Sequence, residues 1–253
     1  MKPVIWLVGA STGIGKSLVA QLAAEADTLY ISARSADKLT ALANDFANVK
    51  ALPLDVTDGN GRGSAISAIE QQAGRLDWLI LNAGTCEYID MDAPQIDLGM
   101  YERVLNTNFH APVALFHEAY ALLRQSTDAR LIGVSSSVTF TPLPTAQAYG
   151  ASKAAFTYWL SSMATDIKAH GVRVQIVSPG FVDTPLTQQN DFKMPFLIDS
   201  DNAARRIVRG LKLKTTHIHF PKRFTLWLQL EALLPISWQL ALNSKLSRVG
   251  KEK

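Results

Sequence analysis

The sequence predicts an α/β fold: one doubly wound parallel sheet with helices on both faces, followed by an apolar, basic C-terminal helical extension. Two observations carry the prediction. Strand-like apolar runs alternate with helix-like stretches from the first residues onward, which builds βαβ units with right-handed crossovers. A glycine cluster also stands where the first strand should turn into the first helix. At 253 residues, 47% hydrophobic and 19% charged, the chain is long enough for one large core.

The strand-like runs are Val4–Val8, Thr28–Ser32, Lys50–Leu54, Trp78–Leu81, Leu131–Ser135, Val172–Val177 and His217–Phe220. Helix-like stretches lie between them at Ile14–Glu25, Ala36–Phe46, Gly63–Gln72, Tyr101–Arg124, Tyr149–Ala169 and Asn202–Leu211. No repeat, low-complexity segment or linker divides the chain. Residues 1–253 therefore read as one domain, with about 221–253 as the extension. Thr184–Pro195 is the longest irregular stretch, the kind of loop that covers a ligand.

The opening run Met1–Gly9 lacks the length and cleavage site of a signal peptide and reads as a buried strand. No stretch reaches the ~20 apolar residues of a membrane span. Cys86 is the only cysteine, so no intrachain disulfide can form, which fits a reducing compartment. The expectation is a cytoplasmic protein, with the inner face of a membrane as a surface its tail can touch. The net charge of +3 divides into −6 over residues 1–201 and +9 over residues 202–253. A basic tail on an acidic body suits an anionic surface, or a solvated terminus.

The first βα junction reads Gly9-Ala10-Ser11-Thr12-Gly13-Ile14-Gly15. Glycines there allow a tight turn and let a phosphate approach main-chain N–H groups at a helix N-terminus. The G-x-x-x-G-x-G spacing differs from G-x-G-x-x-G. Ala10 stands where a P-loop ending in Gly15-Lys16-Ser17 would need its first glycine, which argues against triphosphate hydrolysis. Tyr149 and Lys153 are four residues apart, on one face of a helix. A cation beside a phenol favours the phenolate, so the pair is a candidate acid/base device.

The glycine loop, Asp55-Val56, Asn82-Ala83-Gly84, Asn108, Ser135-Ser136, Tyr149-x-x-x-Lys153 and Pro179-Gly180-x-x-x-Thr184 together resemble the short-chain dehydrogenase/reductase family, in its order, over about seventy per cent of the chain. The resemblance implies a Rossmann-like sheet, a nicotinamide dinucleotide, and hydride transfer to or from a carbonyl carbon. Tyr149 would be the proton donor in reduction or the base in oxidation. Lys153 would lower its pKa and hydrogen-bond the nicotinamide ribose.

A serine would hold the substrate oxygen. Ser135, Ser136 and Ser137 compete, and Ser136 is favoured because it precedes Tyr149 by thirteen residues, the usual family interval. Asn108 would support a proton-relay water, with Asn106 as the lower-ranked alternative. Asp55 would receive the adenine amino group beside Val56, Asn82-Ala83-Gly84 would line the adenosine ribose, and Thr184 would contact the carboxamide near Pro179, Gly180 and Val182. The chain departs from the pattern at Val8, Leu81 and Phe140, none of which removes a catalytic group.

The second strand ends Ile31-Ser32-Ala33-Arg34 with no carboxylate to bind a ribose 2′-hydroxyl. The Arg34 guanidinium suits a 2′-phosphate, with Ser11 or Thr12 adding a hydroxyl, so the expected cofactor is NADP(H). Cys86, Val138, Phe140, Leu143, Phe181, Phe192, Met194 and Phe196 are candidate pocket residues for an apolar substrate, foremost Val138, Phe140 and Phe181 beside Ser136. The apolar run 222–240 suits a lid, a subunit contact in a homodimer or homotetramer, or a membrane-surface segment. His217 and His219 have no nearby cysteine or carboxylate cluster, so no metal site is expected. No basic–aromatic pattern argues for nucleic acid. The rival to an NADPH-dependent carbonyl reductase or alcohol dehydrogenase is a non-catalytic NADP(H)-binding redox sensor or scaffold.

Overall fold

A computed structural model of the chain describes residues 2–190 and 192–247. The last part of the predicted extension, 248–253, lies outside the described residues. Seven strands form one parallel sheet: β1 (Val4–Val8), β2 (Thr28–Ser32), β3 (Val49–Ala51), β4 (Trp78–Leu81), β5 (Arg130–Val134), β6 (Arg173–Pro179) and, after a two-residue ribbon of β7 (Val182–Asp183) and β8 (Ile198–Asp199), β9 (His217–Phe220). Their order is β3-β2-β1-β4-β5-β6-β9. The chain reverses its direction of winding between β1 and β4, which opens a crevice beyond the carboxyl ends of those strands.

Both faces of the sheet are apolar because helices cover both. In β1, Val4, Trp6 and Val8 point into one core and Ile5 and Leu7 into the other. The first core packs on α3 (Gly59–Ala73), α5 (Ala111–Leu123) and α6 (Gln147–Asp166), through residues such as Ile69, Phe116 and Phe156. The second packs on α1 (Gly13–Glu25), α2 (Ala36–Asn44) and α7 (Ser200–Lys212), through Leu18, Leu39 and Ile207. α4 (Leu98–Leu105) rests on α6 through Met100, Val104 and Ala148.

The structure departs from the sequence expectation where local chemistry overrides periodicity. β3 ends at Ala51 rather than Leu54 because Pro53 has no N–H for a regular ladder, although the Leu52 and Leu54 N–H groups still reach the Ile31 and Ala33 carbonyls at 2.9 Å. α3 begins at Gly59 rather than Gly63. Asp58 caps it by accepting a hydrogen bond from the Asn60 N–H at 3.0 Å. The single helix expected over Tyr101–Arg124 is α4 and α5 joined by a π-helical turn, Asn106–His110. Pro112, in the first turn of α5, removes an N–H from the ladder there and the backbone widens ahead of it.

The C-terminal extension folds as α8 (Lys222–Glu231) and α9 (Ile236–Ser244). α8 buries Phe224 and Leu228. α9 buries Gln239 and Asn243 while Ile236, Trp238, Leu240 and Leu242 are exposed. Among the described residues no helix is long and apolar enough to cross a membrane.

Candidate active site

The crevice at the switch point is a cleft of about 1070 Å³. Its floor begins with the glycine loop. The Gly9 and Ala10 N–H groups donate to the Ser32 carbonyl at 2.7 and 3.0 Å, so the end of β2 fixes the turn. Gly9 has φ +93°, and a Cβ there would stand 2.5 Å from the Ala83 nitrogen. A Cβ on Gly15 would run into the Gly9 carbonyl oxygen. Only glycine fits either position, and the N-terminus of α1 is left open to the cleft. Asn82 donates its amide to the Gly9 carbonyl at 2.7 Å and locks the loop to the end of β4.

Ser11, Thr12, Gly13, Ile14, Arg34, Asp55, Val56, Asn82, Ala83, Gly84, Pro179, Gly180, Val182 and Thr184 all line this cleft with Ser136, Tyr149 and Lys153. One Asp55 oxygen accepts from the Thr57 N–H and hydroxyl at 3.0 and 2.7 Å, and these bonds hold its carboxyl below its ordinary range. Exposed Arg34 and Lys38 flank the rim after β2. Lys38, in the first turn of α2 and four positions beyond Arg34, was not singled out in the sequence. The cradle, the open helix terminus and the paired cations fit a phosphorylated dinucleotide.

At the other end, α6 places Tyr149 and Lys153 one turn apart. The Ser136 hydroxyl faces the Tyr149 phenol and favours its anion. It also accepts from the Val138 N–H at 3.2 Å. Among the three serines, Ser136 is the one set against Tyr149. The Ser135 hydroxyl bonds Thr157 Oγ1 at 2.5 Å and the Lys153 carbonyl at 3.3 Å, and Ser137 is buried.

Burial, with the Cys86 thiol adding to it, pushes the Tyr149 pKa up to about 12, and the Ser136 hydroxyl opposes this. Burial brings Lys153 down to about 8. Lys153 Nζ donates to the Val134 carbonyl at 3.0 Å. The sequence suggested an ammonium holding the phenol below its ordinary range. Here desolvation raises it instead, because a phenol set back from bulk water loses hydration that would stabilise its anion. Tyr149 is a protonated group at neutral pH.

Asn108 lies in the π-helical turn and is buried. Its Oδ1 accepts from the Thr85 N–H at 2.8 Å, and its Nδ2 donates to the Thr85 carbonyl at 2.8 Å and the Ser152 hydroxyl at 2.9 Å. It clamps the segment after β4 to α6 beside Lys153. Asn106, the lower-ranked alternative, lines the cleft itself.

Of the expected substrate residues, Ser136 and Cys86 line this cleft, and Val138, Phe181 and Phe140 lie outside its lining. Val138 lies beside Gly150 at the start of α6, its Cγ2 3.7 Å from where a Gly150 Cβ would be. Phe181 packs on Phe224 and Phe192, with centroids 5.5 and 6.0 Å apart. Phe140 stands edge-on to His217 and His219 at 5.7 and 6.0 Å, which places it at the end of β9 instead of along the cleft. Aromatic packing against the last strand holds that ring. His217 and His219 are engaged by the Ser178 and Thr225 hydroxyls at 2.9 and 2.8 Å.

Several cleft residues were missed. Glu87 lines it with Arg103, which bridges Glu87 and Asp97 at 2.7 and 2.8 Å. Gln189, in the loop after β7, donates to the Cys86 carbonyl at 3.3 Å and closes one side. Behind the cleft wall, Tyr88 neighbours the Cys86 thiol and meets the Phe192 ring at 6.5 Å. These contacts join segments far apart in sequence, and no local spacing announces them.

A doubly wound sheet with a dinucleotide cradle at one end of its crevice and a Ser–Tyr–Lys set at the other defines a class of nicotinamide-dependent oxidoreductase. The short chain dehydrogenase family model matches residues 3–194, and the chain belongs to that family. It is 28% identical over 247 residues to an uncharacterized oxidoreductase of Myxococcus xanthus, covering 96% of this chain and 90% of the relative. It is 32% identical over 194 residues to a benzil reductase ((S)-benzoin forming) of Saccharomyces cerevisiae, covering 74% of each. Among solved structures, a short chain dehydrogenase of Burkholderia cenocepacia in complex with NADP superposes with a TM-score of 0.83 at 21% identity, covering 96% of this chain and 97% of that one. The family binds a nicotinamide cofactor and acts on CH–OH or C=O groups.

Proposed function

We propose that residues 1–253 form one NADP-binding domain and that the chain is an NADPH-dependent oxidoreductase acting on a carbonyl or secondary alcohol of an apolar substrate. One observation carries the reading: Ser136 faces the Tyr149 phenol with Lys153 one turn away, in a cleft whose far rim bears Arg34 and Lys38. A bound nicotinamide supplies hydride chemistry at the carbonyl carbon. The chain's own residues handle the oxygen. Ser136 holds it, and Tyr149, kept protonated by burial, donates the proton that makes it an alcohol. Lys153, charged below about pH 8, places a cation beside that proton donor. Asn108 fixes the segment on which both rest.

Arg34 and Lys38 support NADP over NAD, because guanidinium and ammonium groups complement a 2′-phosphate. The NADP in the Burkholderia structure belongs to that protein. Cys86 lines the cleft, and Tyr88, Phe192 and Phe181 pack in sequence from it, which supports an apolar substrate. A homodimer or homotetramer in the cytoplasm is part of this reading. Exposed Leu98 and Tyr158 support self-association, and the unbridged Cys86 supports a reducing compartment.

The test is kcat/KM with NADPH and with NADH over a carbonyl panel that begins with benzil, given the yeast relative. Turnover with NADPH that Tyr149→Phe removes is expected. A clear preference for NADH would overturn the cofactor. Turnover that survives in Tyr149→Phe would overturn the chemistry.

A further inference from the structure

α9 is amphipathic in the inverted sense. Its buried positions are polar and its large apolar side chains face outward. Trp227, Leu230, Leu233, Ile236, Trp238 and Leu240 are all more than half exposed. Hydrogen bonds hold this orientation. Gln239 donates to the Leu234 carbonyl at 2.8 Å and the Ala232 carbonyl at 3.3 Å, closing α9 against the end of α8. Asn243 Nδ2 donates to Glu231 Oε1 at 2.7 Å and to the Thr141 hydroxyl at 3.2 Å, and Thr141 donates to the same Glu231 oxygen at 3.0 Å. Turning the apolar face inward, as a lid over the cleft would, breaks this set and strands buried polar groups. The apolar face is built to point away from the protein.

The charges on the hairpin decide what covers it. Lys222, Arg223 and Lys245 are exposed, and Glu231, the only acidic residue over 222–247, is buried. A two-fold-related copy would bring the same cations against these, with no exposed carboxylate among the described residues of the hairpin to meet them. An anionic lipid leaflet meets both features. Acyl chains take up the leucines, the headgroup zone suits the two tryptophans, and anionic headgroups meet the cations. We propose that the α8–α9 hairpin is a docking surface for an anionic lipid bilayer, on which the protein lies without crossing it. This goes beyond the reaction and does not depend on it.

The experiment is flotation of the full chain with vesicles of phosphatidylcholine alone and of phosphatidylcholine mixed with phosphatidylglycerol, at low and raised salt. The expected result is a roughly hundredfold preference for the anionic vesicles, from three cations near the surface, shrinking as salt rises. Two variants accompany the wild type: Trp227→Ser with Trp238→Ser, and Lys222→Glu with Arg223→Glu and Lys245→Glu. Each should lower partitioning at least tenfold while NADPH binding is retained. Should the tryptophan variant fail to fold, the charge-reversed one decides, since its side chains are all on the surface. Failure of the wild type to float with anionic vesicles overturns the proposal. So does equal flotation of the folded variants, or an oligomer that Trp227→Ser with Trp238→Ser dissolves while vesicle binding is absent.

Discussion

The glycine-loop end of the cleft and the C-terminal hairpin are built on opposite logic. At the loop, backbone meets backbone. Gly9 lies against Ala83, Gly15 against the Gly9 carbonyl, and the turn hangs from the Ser32 carbonyl. Side-chain identity there is dictated by the absence of space. At the hairpin, polar side chains face inward to hold the helices, and large apolar groups are left outside. The first region is constrained almost position by position, while the second is constrained where Phe224, Leu228, Glu231, Gln239 and Asn243 reach inward. Substitutions should separate the two regions sharply.

The largest effect is expected at the chemical end of the cleft. Tyr149→Phe should lower kcat by about 10²–10⁴-fold, the usual contribution of a positioned proton donor, while dinucleotide affinity measured by fluorescence titration is retained. Next comes the loop itself. Gly15→Ala forces a methyl group against the Gly9 carbonyl and should cost about 1–3 kcal/mol in urea denaturation, weakening dinucleotide binding as well. Gly63→Ala, where a Cβ meets nothing within 4 Å, is the control and should leave both unchanged or improved. Arg34→Ser should reduce kcat/KM for NADPH by about tenfold or more and leave NADH within a small factor, the imprint of a lost charge-assisted bond.

The smaller effects involve pH and the hairpin. Lys153 is depressed to about 8 from an ordinary 10.5. Carbonyl reduction should therefore fall as pH rises through about 8, where the cation is lost while Tyr149 is still protonated. The unfolded chain keeps the Lys153 proton up to about 10.5, so between those values it binds more protons than the folded chain, and the stability contributed at this site rises with pH. Initial-rate profiles and urea midpoints across pH 6–10 check both signs. Least of all, Leu233→Ser, on the exposed face, should shift stability by no more than about 0.5 kcal/mol. A large loss there would place the face against something within the folded chain and break the contrast.

What was legible in the sequence follows the same divide. Alternating apolar runs located all seven strands of the main sheet, because a sheet covered on both faces requires nearly continuous hydrophobic stretches. The cradle was legible because Gly9 and Gly15 answer to backbone geometry. Tyr149 and Lys153 were legible because helical spacing is local. The preference for Ser136 came from the interval of the resemblance, whereas the bond by which Thr157 takes the Ser135 hydroxyl had no local signature. The place of Phe140 was not legible, since His217 and His219 arrive from nearly eighty residues later. The rise in the Tyr149 pKa was hidden as well, because enclosure is a property of the whole fold. The π-helical turn could have been suspected from Pro112, but the bonds from Asn108 to Thr85 and Ser152 have no signature in spacing.

The tie from Asn243 and Glu231 to Thr141 has a practical corollary for work on this molecule. Thr141 sits five positions beyond Ser136, so clipping the chain after Phe220 to obtain a smaller specimen would unhook the segment that carries the reactive serine. Shortened versions with poor turnover would then report a slackened loop, and point replacements on the outer face are the cleaner tool.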